Sequence, residues 1–127
     1  FALANAVLLE PLQAPGADRI VRFRTQASQI TSAQRLDYWR SQSDAFEDVA
    51  AHRLEFMNIT GGGEPEHVPV ARVSAAFFRL FGVPMELGRP FTADEDQPDG
   101  PRVAILSHDS WVRRFGADRE IVGRSIA

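Results

Sequence analysis

Hydrophobic and polar positions along the chain switch between two periods. Residues 53–60 alternate, with Leu54, Phe56 and Asn58 set against Glu55, Met57 and Ile59, and residues 67–74 carry Val68, Val70 and Val73. Period-two alternation sends successive side chains to opposite faces of a strand. The glycine run Gly61-Gly62-Gly63, followed by Glu64-Pro65, separates the two runs and predicts a hairpin turn. Pro69 cannot donate to a strand ladder, so the second strand is expected at an edge or with a bulge. Residues 19–24 read as a further strand, with Val21 and Phe23 on one face, and residues 103–106 (Val-Ala-Ile-Leu) as a short strand buried on both faces.

Elsewhere the spacing is helical. Leu36 and Trp39 lie three apart behind a capping Thr31 or Ser32, with Tyr38 beside them. Residues 43–50 predict a short helix capped by Ser43, with Phe46, Val49 and Ala50 as its apolar stripe. Residues 75–81 (Ala-Ala-Phe-Phe-Arg-Leu-Phe) form a compact helix that Gly82 ends and Val83-Pro84 closes off. Ser107 caps a last helix that runs through Trp111 and Phe115 to Gly116. Residues 92–96 are a capped acidic turn, and residues 121–127 open a new extended unit in mid-pattern. Short helices mixed with antiparallel hairpins, without a βαβ rhythm, give an α+β fold.

Composition narrows the function classes. At 127 residues, 44% hydrophobic and 24% charged, the chain is one domain long and ordinary for a globular protein. Its net charge of −3 is spread along the sequence, so neither a nucleic-acid footprint nor a polybasic membrane patch is indicated. With no cysteine there is no disulfide, thiolate metal site or cysteine nucleophile. The opening run Phe1 to Leu9 is apolar, uncharged and stopped by Glu10-Pro11. It reads either as an ordinary buried helix or as the outer end of a membrane helix.

The candidate chemistry is sparse. His108-Asp109 is the one pair with acid–base potential, yet neighbours on a helix point about 100° apart and a first-turn acid favours the helix dipole. His52, His67 and His108 have no metal-ligand spacing. Asp94-Glu95-Asp96 with Asp99 lacks the glycine and terminal glutamate of a calcium loop. The triple glycine lacks the residues of a phosphate cradle, and Ser107 and Ser110 lack a nucleophile elbow. Asn58-Ile59-Thr60 matches a glycosylation sequon that is too short to carry meaning. Phe77, Phe78 and Phe81 read as core packing ahead of a partner-binding stripe. The expectation is therefore no catalytic residue, no cofactor and no metal: not an enzyme.

Five ordered stretches carry a family resemblance. These are Ala6-Val7-Leu8-Leu9-Glu10-Pro11-Leu12 with Ala17-Asp18-Arg19-Ile20-Val21; Tyr38-Trp39-Arg40-Ser41-Gln42-Ser43 with Phe46-Glu47; and Asn58-Ile59-Thr60-Gly61 with Glu64-Pro65-Glu66-His67-Val68. Val73-Ser74-Ala75-Ala76-Phe77-Phe78 follows, with Phe81-Gly82-Val83 and Leu87-Gly88-Arg89-Pro90-Phe91; the last is Val103-Ala104-Ile105-Leu106-Ser107-His108 with Trp111, Arg114-Phe115-Gly116 and Ile121-Val122-Gly123-Arg124. Together they resemble the periplasmic core domain of MacB/FtsX-like ABC transporter permeases, nearest the duplicated orphan permease group. Gln13 departs from the pattern, standing where that group usually has a second proline.

The resemblance implies a bacterial inner-membrane protein with this segment facing the periplasm or cell exterior. Residues 1–12 would end the first transmembrane helix, and residues 13–127 would be the N-terminal part of a two-lobed domain: a lobe resembling the porter domain of efflux pumps plus part of the second. Its implied partners are a cytoplasmic ABC ATPase reached through the membrane region, a second permease protomer, and a periplasmic adaptor or substrate, with no nucleic acid. Its implied role is to couple ATP hydrolysis to efflux, lipoprotein release or signalling. The alternatives are a free-standing periplasmic substrate- or partner-binding protein and, behind it, a hydrolase using His108. A domain without its return strands is expected to leave a free edge or apolar patch and to self-associate or exchange strands.

Overall fold

The computed structural model of the chain describes residues 16–22, 32–41 and 44–127. A 3-10 turn at Ala17–Arg19 precedes helix α1 (Ala33–Ser41). Strands β1 (His52–Ile59) and β2 (Glu66–Val73) come next, then α2 (Ala76–Phe81), a 3-10 turn at Asp94–Asp96, α3 (His108–Phe115) and a last 3-10 turn at Arg119–Ile121. Three short helices around one antiparallel pair make an α+β fold.

β1 and β2 pair from His52 opposite Val73 to Ile59 opposite Glu66, without a bulge. Directly opposite residues share a face. One face therefore carries Leu54, Phe56, Pro69 and Ala71, and the other Glu55, Met57, Val68 and Val70. Just beyond the ladder the Ser74 N–H donates to the Ala51 carbonyl at 2.9 Å. Antiparallel pairs alternate between hydrogen-bonded and non-bonded. Counting from Ala51–Ser74, the pair Phe56–Pro69 falls on a non-bonded position. The N–H that Pro69 lacks would have pointed away from β1, so the ladder keeps every bond and the edge alternative holds over the bulge.

The interior is centred where the open end of the hairpin meets α2. Among the described residues Val49 (8% exposed), Ala76 (5%) and Ser74 (6%) are buried, and no side chain is fully enclosed. The Ser74 hydroxyl accepts from the Ala51 N–H at 2.9 Å, which keeps a buried polar group paired. Phe77 packs on Phe81 with ring centres 4.8 Å apart and on Phe78 at 5.7 Å, and Phe78 meets Phe91 at 5.9 Å. Each such pair adds about 1 kcal/mol beyond area burial. Phe77 and Phe78 are thus core residues of a short helix, and Gly82, left-handed at φ 62°, ends it.

Three expected elements take other forms. Residues 44–50 are not helical. Asp48 accepts from the Val49 N–H at 3.0 Å and pairs two-pronged with Arg79 at 2.8 and 3.2 Å, a side-chain competition that draws the backbone out of a helix. Ser43, the expected cap, lies outside the described residues. Residues 103–106 form no strand, because no described segment offers a ladder to them. Ile20 is extended after the 3-10 turn and joins no strand ladder among the described residues, and Phe23 and Arg24 lie outside them. The apolar run Phe1 to Leu9 also lies outside them. Among the described residues no helix is long and apolar enough to cross a membrane.

Candidate functional site

Among the described residues a dense polar arrangement lies at the closed end of the hairpin. The Ser107 hydroxyl caps α3 by accepting from the Ser110 N–H, and Gly116 (φ 60°) ends the helix. The Trp111 indole N–H donates to the Asp118 carbonyl at 2.8 Å, which folds the following chain back on the helix. This fixes the last turn of α3, so that Arg113 and Arg114 reach the hairpin turn.

The Arg114 side chain is only 6% exposed. It donates to the Gly61 carbonyl at 2.7 and 3.1 Å, to Ile59 at 3.3 Å, to Glu64 at 3.1 Å and to the Glu66 carboxylate at 2.9 Å. A guanidinium is a rigid fork of five donors, and here it gathers carbonyls from both sides of one turn. Arg113 holds Glu66 from the outside through two bonds of 2.8 and 3.0 Å. Arg113 first, then Arg114, lowers the Glu66 pKa below its ordinary value, and Glu66 in turn raises that of Arg113.

Close approach makes glycine necessary at position 62. Gly62 has φ 79°, and a Cβ there would lie 2.7 Å from Phe115 Cε1 and 2.8 Å from the Arg114 carbonyl oxygen. On the far side the Ala127 carbonyl accepts from Thr60 N–H at 2.7 Å and Gly61 N–H at 2.8 Å. A shallow cleft of about 460 Å³ remains between Gly61, Phe115, Asp118 and Ala127. One hairpin turn is therefore tied to α3 and to residue 127 through main-chain atoms.

The residues singled out in the sequence are not brought together. His108 pairs through Nδ1 with Glu86 at 2.8 Å on the surface. Asp109, beside it, lines an open depression with Val112 and Arg113. His67 pairs with Asn58 at 2.8 Å and stacks on Phe56, whereas His52 leans on Phe77. Burial, then the charge of Arg22, lowers the His52 pKa. The acidic turn is held in ion pairs. Glu95, 7% exposed, takes Arg89 in two bonds and the Thr92 N–H, and Arg89 foremost holds its pKa down to about 2. Asp96 accepts from the Ala75 N–H at 3.0 Å and lies 3.8 Å from Arg40. The Ser107 and Ser110 hydroxyls bond each other within the cap. The carbonyl of Gly61 serves Arg114. Among the described residues no group of three or more His, Asp or Glu could hold a metal ion.

Arg114 is the residue that sequence reasoning passed over. It was visible only as part of Arg114-Phe115-Gly116, and the available signal was a glycine-rich turn with carbonyls in need of donors. Comparison with curated proteins and with solved structures gave no match. The MacB-like periplasmic core domain matches over residues 3–127. The chain belongs to this family, as a periplasmic domain of an ABC transporter permease: an inner-membrane protein that works with a cytoplasmic ATPase.

Proposed function

We propose that this segment is a non-catalytic relay, which moves as the ATPase binds and hydrolyses nucleotide and so drives efflux, lipoprotein release or signalling. The observation that supports the reading is the Arg114 clamp. It fastens α3 to the hairpin turn through carbonyls and one carboxylate, so that a push on either element carries the other. Relay elements need packed, discrete arrangements and not reacting groups. In this reading residues 1–12 are the outer end of a membrane helix, residues 13–127 are the N-terminal part of the domain, and a second protomer and a periplasmic adaptor or substrate are the partners.

The test uses the full permease with its ATPase in lipid, spin-labelled at Glu64 and Arg119 within the segment or at Arg119 in each protomer. The distance within the segment is expected to stay fixed between nucleotide-free and ATP-bound states while the distance between protomers changes. No change in either distance would overturn the relay. A His108→Ala variant that abolished activity without altering these distances would favour a hydrolase instead.

A further inference from the structure

The two outer edges of the hairpin are unlike. On β2 the outward N–H positions include Pro69, which has none, so this edge is blocked against a further strand. On β1 the outward positions are His52, Leu54, Phe56 and Asn58, and each keeps its N–H. Among the described residues no main-chain hydrogen bond reaches them. Leu54 and Phe56 are 64% and 65% exposed, and no charged residue stands on their face to discourage pairing.

The order of residues in β1 says what fits this edge. Antiparallel pairing of two copies centred on Leu54 sets Leu54 against Leu54 of the second copy, Arg53 against its Glu55, and Phe56 against its His52. Both ion pairs match, and the aromatic pair repeats the stacking seen between Phe56 and His67. Centring on Glu55 would oppose Glu55 with Glu55, and centring on Phe56 would leave Glu55 opposite Met57. Charge therefore selects one register of the three, and in that register the outward N–H groups meet outward carbonyls.

We propose that β1 is a self-pairing edge: two copies of this chain join through it into a four-stranded sheet, β2-β1 followed by β1-β2 of the second copy. Leu54 and Phe56 from both copies then make one continuous apolar face. A two-stranded hairpin alone is marginal, and three or more strands with such a face are stable. The inference goes beyond the relay reading and stands on β1 alone.

Because the chain has no cysteine, one introduced thiol reports the register. Directly opposite residues of a bonded pair lie about 5.5 Å apart, within reach of a disulfide. Leu54→Cys is therefore expected to form a disulfide-linked dimer on mild oxidation, roughly tenfold faster than Phe56→Cys, whose thiols would lie about 13 Å apart. Val112→Cys, exposed on α3, is the control for random collision. Equal rates at the three positions, or no linkage at Leu54→Cys, would overturn the proposal. Independently of these variants, light scattering on the unaltered chain is expected to show a dimer, and on Leu54→Pro, whose missing donor points outward as that of Pro69 does, a monomer. A strictly monomeric unaltered chain at high concentration would also overturn it.

Discussion

The closed end of the hairpin and its middle are held by different forces. At the turn, a nearly buried guanidinium collects three carbonyls and a carboxylate, a second arginine seals the carboxylate, and Gly62 lets Phe115 come within contact distance. Further along β1, Leu54 and Phe56 stand largely in solvent, Phe56 with only the His67 ring stacked on it. The apolar residues that a globular domain usually buries are outside here, and the charged residue usually found outside is within. The difference teaches that this unit is ordered through its main chain more than through a sealed interior. Polar anchoring of that kind is directional, because each bond names its partner atom, whereas apolar burial is not.

The contrast can be broken most sharply at Arg114. Replacing it by Ala leaves the carbonyls of Gly61 and Glu64 without their arginine donor and Glu66 held by Arg113 alone, and is expected to lower unfolding stability by about 3 kcal/mol, measured by urea titration. A loss within about 0.5 kcal/mol would mean that the turn stands without its clamp. A smaller effect comes from acid. The Glu66 pKa is lowered from 4.5 in the folded chain, so its contribution is fully present above pH 4.5 and is lost as the pH falls below that value through the folded one. The unaltered chain should therefore lose stability below pH 4.5 more steeply than Glu66→Gln, with the urea midpoint as readout. Parallel slopes would remove Glu66 from the account. The smallest effect belongs to the middle of β1, where Phe56→Ser is expected to shift the stability of the single copy by no more than about 0.5 kcal/mol when measured at high dilution. A large loss there would show a hidden packing partner and erase the contrast.

Much of the fold could be read in advance because it is local. The alternation in residues 52–59 and 66–73, the glycine turn between them, and the helices ended by Gly82 and Gly116 all depend on neighbours within a few residues. The segments that went otherwise depend on distant ones. Residues 103–106 have a strand's composition but no ladder to join, and Asp48 surrendered a helix to bond Arg79, 31 positions on. The clamp is the extreme case. Arg114 lies 48 or more positions from every group it holds, and nothing in the residues around it distinguishes a clamping arginine from a solvated one. His108 and Asp109 point apart for a local reason, since successive helical positions diverge and His108 pairs with Glu86.

The grip of Arg114 also makes the turn a measured length. Its donors meet carbonyls at Ile59, Gly61 and Glu64, so the span of residues 60–65 is gauged against one rigid fork. Surface loops ordinarily absorb insertions with little penalty, since closing a slightly longer loop changes its entropy only slowly. This loop is an exception. One residue inserted between Gly61 and Glu64 would carry a carbonyl out of reach without lengthening either strand. A tag or reporter placed at this tip, which looks from outside like the most permissive point of the hairpin, would unfasten α3 from the sheet.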